Sequence, residues 1–334
     1  MALIRAEPED FQVEELPLYP ASGAGDHTFV RVEKQLRTTE EVARALAQAA
    51  GVRARDVGYA GRKDRRAVAT QWLSVPRLEP QRALRLEIDG VRVLEAIPHG
   101  HKLRTGQLRG NRFKIAVREV DAGVCEAAQG RLAEICRTGM PNYFGAQRFG
   151  RDGGNAAHGR RLLRGELRLK DRRQARFALS ALQAAVFNAV LAARPLPLDQ
   201  LECGDVALLH LTGGSFVVED LEREQPRATA FEISPTGPIF GNRVIEPAGD
   251  VAARELAALE SHGLQPGELT PPPGIRMRGS RRPLRVRPVD ARIRDRSDRG
   301  FWLDFELPPG SYATVLLRTV LGEEPRVGGA RTPR

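Results

Sequence analysis

The 334-residue sequence predicts a mixed α+β fold with a largely antiparallel sheet. Segments that alternate apolar and polar residues, as half-buried strands do, occur at 28–33, 113–117 and 301–307. Apolar residues at helical spacing define one face of a long helix at 174–193. Asp89-Gly90 stands between two shorter alternating segments and indicates a hairpin.

Strands and helices are expected in turn over the first 140 residues. Thr38 and Glu41 form a capping box at the start of a helix that Gly51 ends. The other elements expected here are strands at 28–33, 71–75, 84–88, 91–93 and 113–117, and a helix at 124–136 that stops at Gly139.

The composition changes after residue 140. Residues 141–172 are rich in Gly, Arg and Asn and show little apolar periodicity. The elements expected beyond them are helices at 174–193 and 251–261 and strands at 206–211, 215–219 and 301–307, with a linker marked by 271–273 and 281–283. On pattern alone, the last strand could belong to either of two domains.

The charge favours polyanionic partners, because the net charge is +10 and the pI about 10.2. Solvated arginines from a biased composition are the alternative explanation. Aromatic residues make up only 5 %, so no broad stacking platform for single strands is evident. The three cysteines lack metal-ligand spacing. The first residues do not resemble a signal peptide and no apolar run approaches the length of a membrane span, so a cytoplasmic protein is expected.

Several catalytic classes lose support because their motifs are missing. The six histidines form no HExxH motif. No Walker loop, dinucleotide-binding GxGxxG or GxSxG elbow is present. Polar residues concentrate instead in three turn-rich segments.

The first segment, residues 58–68, places Asp64 among four cations, Arg62, Lys63, Arg65 and Arg66. These charges would keep the carboxylate ionised and hold a phosphate backbone beside it. An ionised carboxylate next to a bound nucleotide suits nucleophilic attack or proton abstraction. The alternative is a surface aspartate that only makes ion pairs.

The other two segments are 110–113 and 141–152. Asn111 offers a donor and an acceptor, as the edge of a uracil requires, and Phe113 could stack on a base. The alternative for Phe113 is the core, because it is in phase with neighbouring apolar residues. The segment 141–152 interleaves basic and aromatic residues, which suits either RNA contact or a structured hinge between domains.

Together these segments resemble the signature motifs of the TruD family of tRNA pseudouridine synthases. The matching stretches are EDFQVEE, GYAGRKDRRAV, GNRF, PNYFGAQRFGRDGGN and LPPGSYATVLLR, in the family's order between residues 5 and 318. The resemblance implies a pseudouridine-synthase fold with a mixed, mainly antiparallel sheet, formed by 1–139 plus 287–334. A family-specific α/β domain, the TRUD domain, would be inserted at 140–286, with RNA in a basic cleft between the two domains.

The resemblance also assigns residues. Asp64 would be the catalytic aspartate, one buried negative charge in a cation-lined groove. The residues expected at the substrate are Asn111 and Phe113 of the NxF pair, Phe11 of EDF, Tyr312 where the family often has phenylalanine, Arg5 where a lysine is common, and Lys63 of the GRKD motif.

The implied reaction isomerises a uridine of tRNA, at position 13 in the D arm, to pseudouridine. No atoms or electrons are gained or lost, so no cofactor, metal or energy source is expected, and the partner would be tRNA bound by a monomer away from membranes. The target uridine would leave its stack to reach Asp64. Rival interpretations are a non-catalytic RNA-binding or RNA-folding protein, a methyltransferase and, less favoured, a DNA-binding regulator.

Overall fold

The computed structural model describes residues 1–150, 152–297 and 299–328. Within them the chain forms sixteen strands and eight α-helices. The strands are β1 (Leu3–Ile4), β2 (Phe11–Pro17), β3 (His27–Lys34), β4 (Gly58–Tyr59), β5 (Val68–Pro76), β6 (Val91–His99), β7 (Leu108–Arg118), β8 (Met140–Pro141), β9 (Val206–Leu209), β10 (Ser215–Val217), β11 (Ile233–Ile239), β12 (Ser280–Pro283), β13 (Arg285–Val286), β14 (Val289–Ser297), β15 (Gly300–Leu307) and β16 (Arg326–Val327).

The helices are α1 (Thr39–Ala50), α2 (Pro80–Leu84), α3 (Ala122–Thr138), α4 (Asn155–Leu163), α5 (Arg172–Ala192), α6 (Leu221–Thr229), α7 (Gly249–Ser261) and α8 (Ala313–Leu321). The predicted capping box of α1 is confirmed: the Thr38 side chain accepts from the Glu41 amide, and the Glu41 side chain accepts from the Thr38 amide. Gly51 ends this helix in the left-handed region at φ 69°.

Two compact units divide the chain. One contains Met1–Ala133, Pro288–Ala313 and the described part of Leu317–Arg334; the other contains Glu134–Arg287 and Thr314–Leu316. These limits fall near the expected domain limits of 140 and 286, and β15 lies in the same unit as the N-terminal strands. The assignment of the two units as catalytic and inserted domains stays a prediction.

A ten-stranded sheet forms the first unit. Its main path is β14-β15-β7-β2-β5-β3-β6, with β1, β4 and β16 attached beside it. The pairs β2–β5 and β1–β16 are parallel and the others are antiparallel. The predicted α+β class with a mixed, mainly antiparallel sheet is therefore confirmed.

The two faces of this sheet differ in polarity. Register places Phe113 of β7 between Val13 of β2 and Phe305 of β15, so their side chains share one buried face. On the other face, ion pairs run across strands from Arg31 to Glu14, from Glu14 to Arg112 and from Arg112 to Glu306. A charged ladder keeps this second face compatible with water.

The second unit has its own sheet, ordered β10-β9-β11-β12 and antiparallel throughout. Helix α5 packs on α7 through Leu182, Val186 and Val190. Among the described residues, α5 is the one helix long and apolar enough to cross a membrane, which was not expected from the sequence. The buried core helix of a globular protein can have the same length and composition. Ten residues of α5 are buried in the unit.

Two predicted elements are wrong. The strand predicted at 84–88 does not form: Leu84 ends helix α2, which Pro80 starts, and Ile88 makes an isolated bridge to Val91. Residues 281–283 lie in strand β12, paired with β11, rather than in a linker. The sequence did not predict this strand because it consists mainly of arginine and proline. Proline is tolerated here because β12 is an edge strand, where a missing backbone N–H costs little.

Candidate active site

Asp64 lies in the loop between β4 and β5, half-exposed on the surface of the first unit, with 42 % of its side chain accessible. The expectation of a buried carboxylate is therefore wrong. Its Oδ2 accepts from Arg5 Nη1 at 2.6 Å, and its Oδ1 accepts from the Arg66 amide at 3.1 Å. Both oxygens thus receive hydrogen bonds, which fix the orientation of the carboxylate.

The partner of Asp64 comes from far along the chain. Arg5 is 59 residues away in sequence, whereas the neighbouring cations Arg62 and Lys63 pair with Glu40 and Glu15. The sequence places four cations next to Asp64 along the chain but does not predict its pairing with Arg5. The chain at Arg5 adopts a left-handed conformation with φ 55°, a backbone strain found at functional sites.

Lys34 anchors the loop from below. This side chain ends β3 and is 1 % exposed, and its Nζ donates to the backbone oxygens of Asp64 and Arg37, each at 2.7 Å. Burial lowers the pKa of Lys34 to about 8, although the negative charge of Asp64 opposes that shift. The loop that carries Asp64 is thereby tied to the end of a central strand.

A buried ion pair holds the loop from the side. Lys63 Nζ lies 2.6 Å from Glu15 Oε2, and these side chains are 6 % and 2 % exposed. The Lys63 amide donates to Thr39 Oγ1 at 3.0 Å, and that hydroxyl donates to Gln71 Oε1 at 2.9 Å. Lys63 therefore reaches into the protein, next to Asp64 but engaged with Glu15.

A row of aromatic rings adjoins Arg5. Its guanidinium lies 3.9 Å from the centroid of the Phe11 ring. Phe11 meets Phe113 edge-on at 6.1 Å, and Phe113 stacks on Phe305 at 5.1 Å. All three phenylalanines are buried, so the Phe113 ring is a core residue in this state and Arg5 covers the face of Phe11.

Asn111 shares the face of Phe113, two residues away on β7. Register places it between Glu15 of β2 and Leu307 of β15. Its Oδ1 is buried and has no hydrogen-bond partner among the described residues, as is true of Arg5 Nε. Buried polar atoms without partners are costly, and a bound ligand is one way to satisfy them.

Tyr312 lies on the segment that joins β15 to α8. It precedes α8 as its N-cap residue and follows β15 by five positions. Five of the expected site residues form a continuous set: Asp64 bonds to Arg5, Arg5 covers Phe11, Phe11 contacts Phe113, and Lys63 adjoins Asp64. Asn111 joins the set through the register of Glu15, the partner of Lys63.

Two residues of the site were missed from the sequence, Lys34 and Glu15. The alternation of their strands could have indicated both residues. Lys34 is in phase with the buried Val30 and Val32 of its strand, and Glu15 is in phase with Phe11 and Val13 of its own. A charged residue in the apolar phase of a strand indicates a buried charge with a specific partner.

Metal-binding groups are not evident in the described ranges, where no three or more His, Cys, Asp or Glu side chains cluster as an ion would require. The expectation that the protein uses no metal or cofactor stays a prediction. Chemically, the site offers an accessible carboxylate beside a row of aromatic rings, and Asn111 supplies an amide oxygen without a partner on the sheet face of Phe113. Such a carboxylate can act as a nucleophile or as a base.

Comparison with known proteins identifies this architecture. A solved structure of a tRNA pseudouridine synthase D homologue from Methanosarcina mazei superposes with a TM-score of 0.76 over 96 % of this chain and 94 % of that one. At 20 % identity this match shows a shared fold. The family model described as tRNA pseudouridine synthase D (TruD) matches residues 1–170 and 167–320.

Relatives named tRNA pseudouridine synthase D are similar along most of their length. The protein of an Anaeromyxobacter species is 44 % identical over 95 % of this chain and 92 % of its own. The Thermus thermophilus protein is 44 % identical over 96 % of this chain and 89 % of its own. The Geobacter metallireducens protein is 38 % identical over 95 % of this chain and 94 % of its own. The chain belongs to the TruD family of tRNA pseudouridine synthases.

Proposed function

We propose that this protein converts a uridine of tRNA into pseudouridine, with Asp64 as the catalytic carboxylate and uridine 13 of the D arm as the target. Family membership supports the reaction class. The observation that carries the assignment of Asp64 is its hydrogen bond to Arg5, which covers Phe11, because it joins the GRKD and EDF motifs at one carboxylate.

The reaction exchanges one bond for another within the substrate. The bond from ribose C1′ to uracil N1 breaks, the base turns, and a bond forms from C1′ to C5. The hydrogen on C5 is lost as a proton and N1 gains one, so atoms and electrons balance. Asp64 acts in the first step, as nucleophile or as the base that removes a sugar proton.

The surrounding side chains have separate tasks in this proposal. Arg5 fixes one carboxylate oxygen of Asp64 by a hydrogen bond, so attack requires Arg5 to shift or to share that oxygen. The partnerless Oδ1 of Asn111 accepts from N3–H of the uracil. The pocket that holds the freed base while it turns is lined by Phe11, Phe113 and Tyr312. The base can contact the Phe11 ring only after Arg5 moves off it.

Lys63 enters this proposal through its pair with Glu15, as a support for the loop beside the substrate. The unit built from the N-terminal and C-terminal parts of the chain is proposed as the catalytic domain, and 140–286 as the inserted domain. A cytoplasmic location, a monomeric state and independence of cofactors complete the proposal.

The test is to map pseudouridine in tRNA incubated with the full chain, by mass spectrometry. Wild type should modify position 13, and a tRNA with cytidine at 13 should remain unmodified. Asp64→Asn should abolish product while it binds tRNA within about twofold of wild type, since the side-chain volume is unchanged. Asp26→Asn, at an exposed aspartate, is the matched control and should retain activity.

Near-normal product formation by Asp64→Asn would remove Asp64 from the catalytic role. Modification at another uridine would leave the chemistry standing and overturn the proposed target. Tight tRNA binding by wild type without any product would instead indicate the rival function, a non-catalytic RNA-binding protein.

A further inference from the structure

A basic pocket lies within the second unit, where α5, the 3₁₀ turn Ala146–Arg148 and β12 meet. Its volume is about 310 Å³. Three arginines line it, and none of its described lining residues is an aspartate or glutamate. The partners of the three arginines therefore decide what the pocket can bind.

One of the three arginines is already neutralised. Arg281 Nη2 lies 2.6 Å from Glu255 Oε1, with both side chains almost fully buried, and it also donates to Thr236. Its donors are therefore engaged in holding β12 and α7 together. Arg281 is part of the frame of the pocket.

Arg148 is engaged differently. Its Nη2 donates to the Ser180 hydroxyl, and its guanidinium lies 5.6 Å from the Phe144 ring and 5.9 Å from the Phe177 ring. Its Nε is buried without a hydrogen-bond partner, and in the described ranges no carboxylate lies within ion-pair distance of Arg148. This guanidinium is pre-oriented by neutral contacts and keeps its charge uncompensated by protein.

Arg282 supplies a second guanidinium at the same pocket. It lies 4.1 Å from the Phe144 ring centroid and donates to Asn142 Oδ1 at 2.6 Å. Both Arg148 and Arg282 therefore contact the ring of Phe144, which leaves this ring badly placed to stack on a base. The pocket therefore offers the guanidinium of Arg148 rather than an aromatic platform, and a guanidinium suits an anion.

We infer that this pocket binds a backbone phosphate of the tRNA, with Arg148 as its principal donor. The inference rests on the proposed function and adds a contact within the second unit. A phosphodiester fits the volume, carries the complementary charge and accepts hydrogen bonds from planar guanidinium groups. Free phosphate shares this chemistry, so the experiment must distinguish the two sources.

The experiment measures the affinity of the full chain for unmodified tRNA between about 50 and 300 mM salt. Arg148→Gln should weaken binding about 10-fold and reduce the slope of log Kd against log salt by about 1, the loss of one phosphate contact. Arg173→Gln, at an exposed arginine at the start of α5, should change the affinity by less than twofold.

A second pair of variants keeps the test decisive if Arg148→Gln fails to fold. Ser280 is an exposed residue on the rim of the pocket, so Ser280→Asp adds a negative charge without removing a buried contact. Ser280→Asn is its neutral match. The Asp variant should weaken tRNA binding about 5-fold relative to the Asn variant.

Equal affinities for Ser280→Asp and Ser280→Asn, with the salt slope of Arg148→Gln unchanged, would overturn the inference. Inorganic phosphate that binds in an Arg148-dependent way without competing with tRNA would assign the pocket to a small anion and also overturn it. Failure of the proposed function is visible separately, as a wild type that binds tRNA but forms no pseudouridine.

Discussion

Lys34 donates from its buried ammonium to the backbone carbonyl of Asp64 at 2.7 Å. The same ammonium reaches the carbonyl of Arg37, so one cation joins the Asp64 loop to the segment that leads into α1. No carboxylate lies within ion-pair distance of Lys34 in the described ranges. Its charge is therefore stabilised by carbonyl dipoles and by the nearby Asp64, and it fixes where the carboxylate stands.

Replacing Lys34 should reduce turnover more than RNA binding. Lys34→Met removes both hydrogen bonds and frees the loop, and a misplacement of about 1 Å can cost about 100-fold in rate. We expect kcat to fall about 10- to 100-fold and the Kd for tRNA to stay within about twofold. Lys114→Met, at an exposed lysine on the charged sheet face, is the control. A variant with normal kcat would contradict the positioning role.

The same lysine predicts an alkaline limb in the pH profile. Because burial lowers the pKa of Lys34 to about 8, its cation is lost as the pH rises through 8. Single-turnover rates of wild type should therefore fall above pH 8, whereas the lower rates of Lys34→Met should be flat between pH 7 and 9. Parallel profiles for the two proteins would assign any alkaline decline to another group.

The buried ion pair of Lys63 and Glu15 should contribute more to the free energy of unfolding than the exposed ion pairs do. Lys63→Met leaves a carboxylate buried at 2 % exposure without its cation, a change that typically costs about 3–5 kcal/mol. The double variant Lys63→Met with Glu15→Gln removes both charges and should recover much of that loss. Urea denaturation of the two single variants and the double variant measures the coupling.

The exposed ladder provides the comparison. Arg112 is 43 % exposed and pairs with both Glu14 and Glu306 on the solvated face of the sheet. Arg112→Met should cost about 1 kcal/mol or less, with the difference shrinking at high salt. A loss as large as that of Lys63→Met would show that burial does not separate these two ion pairs.

The sequence predicted the elements whose signals are local. The capping box of α1 and the alternation in β3, β7 and β15 are confirmed because neighbouring residues alone determine them. Strand β14 was missed because alternating charged residues hide its phase, and β11 because it contains Pro235 and Pro238. These strands depend on partners distant in sequence.

The site divides in the same way. Asp64 was identified through a motif, but its partner Arg5 lies 59 residues away and its supports Lys34 and Glu15 act through the folded sheet. No local pattern reports which of several cations reaches a given carboxylate. Sequence alone therefore predicted the type of chemistry, and the arrangement of charges required the fold.

Phe305 should stabilise both the core and the aromatic row. It is 1 % exposed and stacks on Phe113 at 5.1 Å. Phe305→Ala should cost about 3–5 kcal/mol through lost burial and a residual cavity. Phe305→Leu fills most of that space, so it should cost less in urea denaturation while Phe113 loses its stacking partner. If the two variants were equally destabilised, cavity formation would not be the cause.

Acid should weaken the fold through His99. This side chain is 5 % exposed, its Nδ1 accepts from the Ser22 amide at 3.1 Å, and its Nε2 faces His101 Nε2 at 3.2 Å. A proton on Nδ1 would break the bond from the Ser22 amide, because two N–H donors would then face each other. Burial, with repulsion from neighbouring histidines, accordingly lowers the pKa of His99 below its usual value of 6.5.

The sign of the effect follows from proton binding. Below about pH 6.5, His99 binds a proton in the unfolded chain but not in the folded protein. The free energy of unfolding therefore falls as the pH decreases. His99→Asn keeps an acceptor but cannot titrate, and should reduce the drop in Tm between pH 7.5 and 5.5 by about 2 °C. His158→Asn, at an exposed histidine of α4, is the control and should leave the drop in Tm unchanged. If His99→Asn also left the drop unchanged, His99 would not be responsible for the loss of stability in acid.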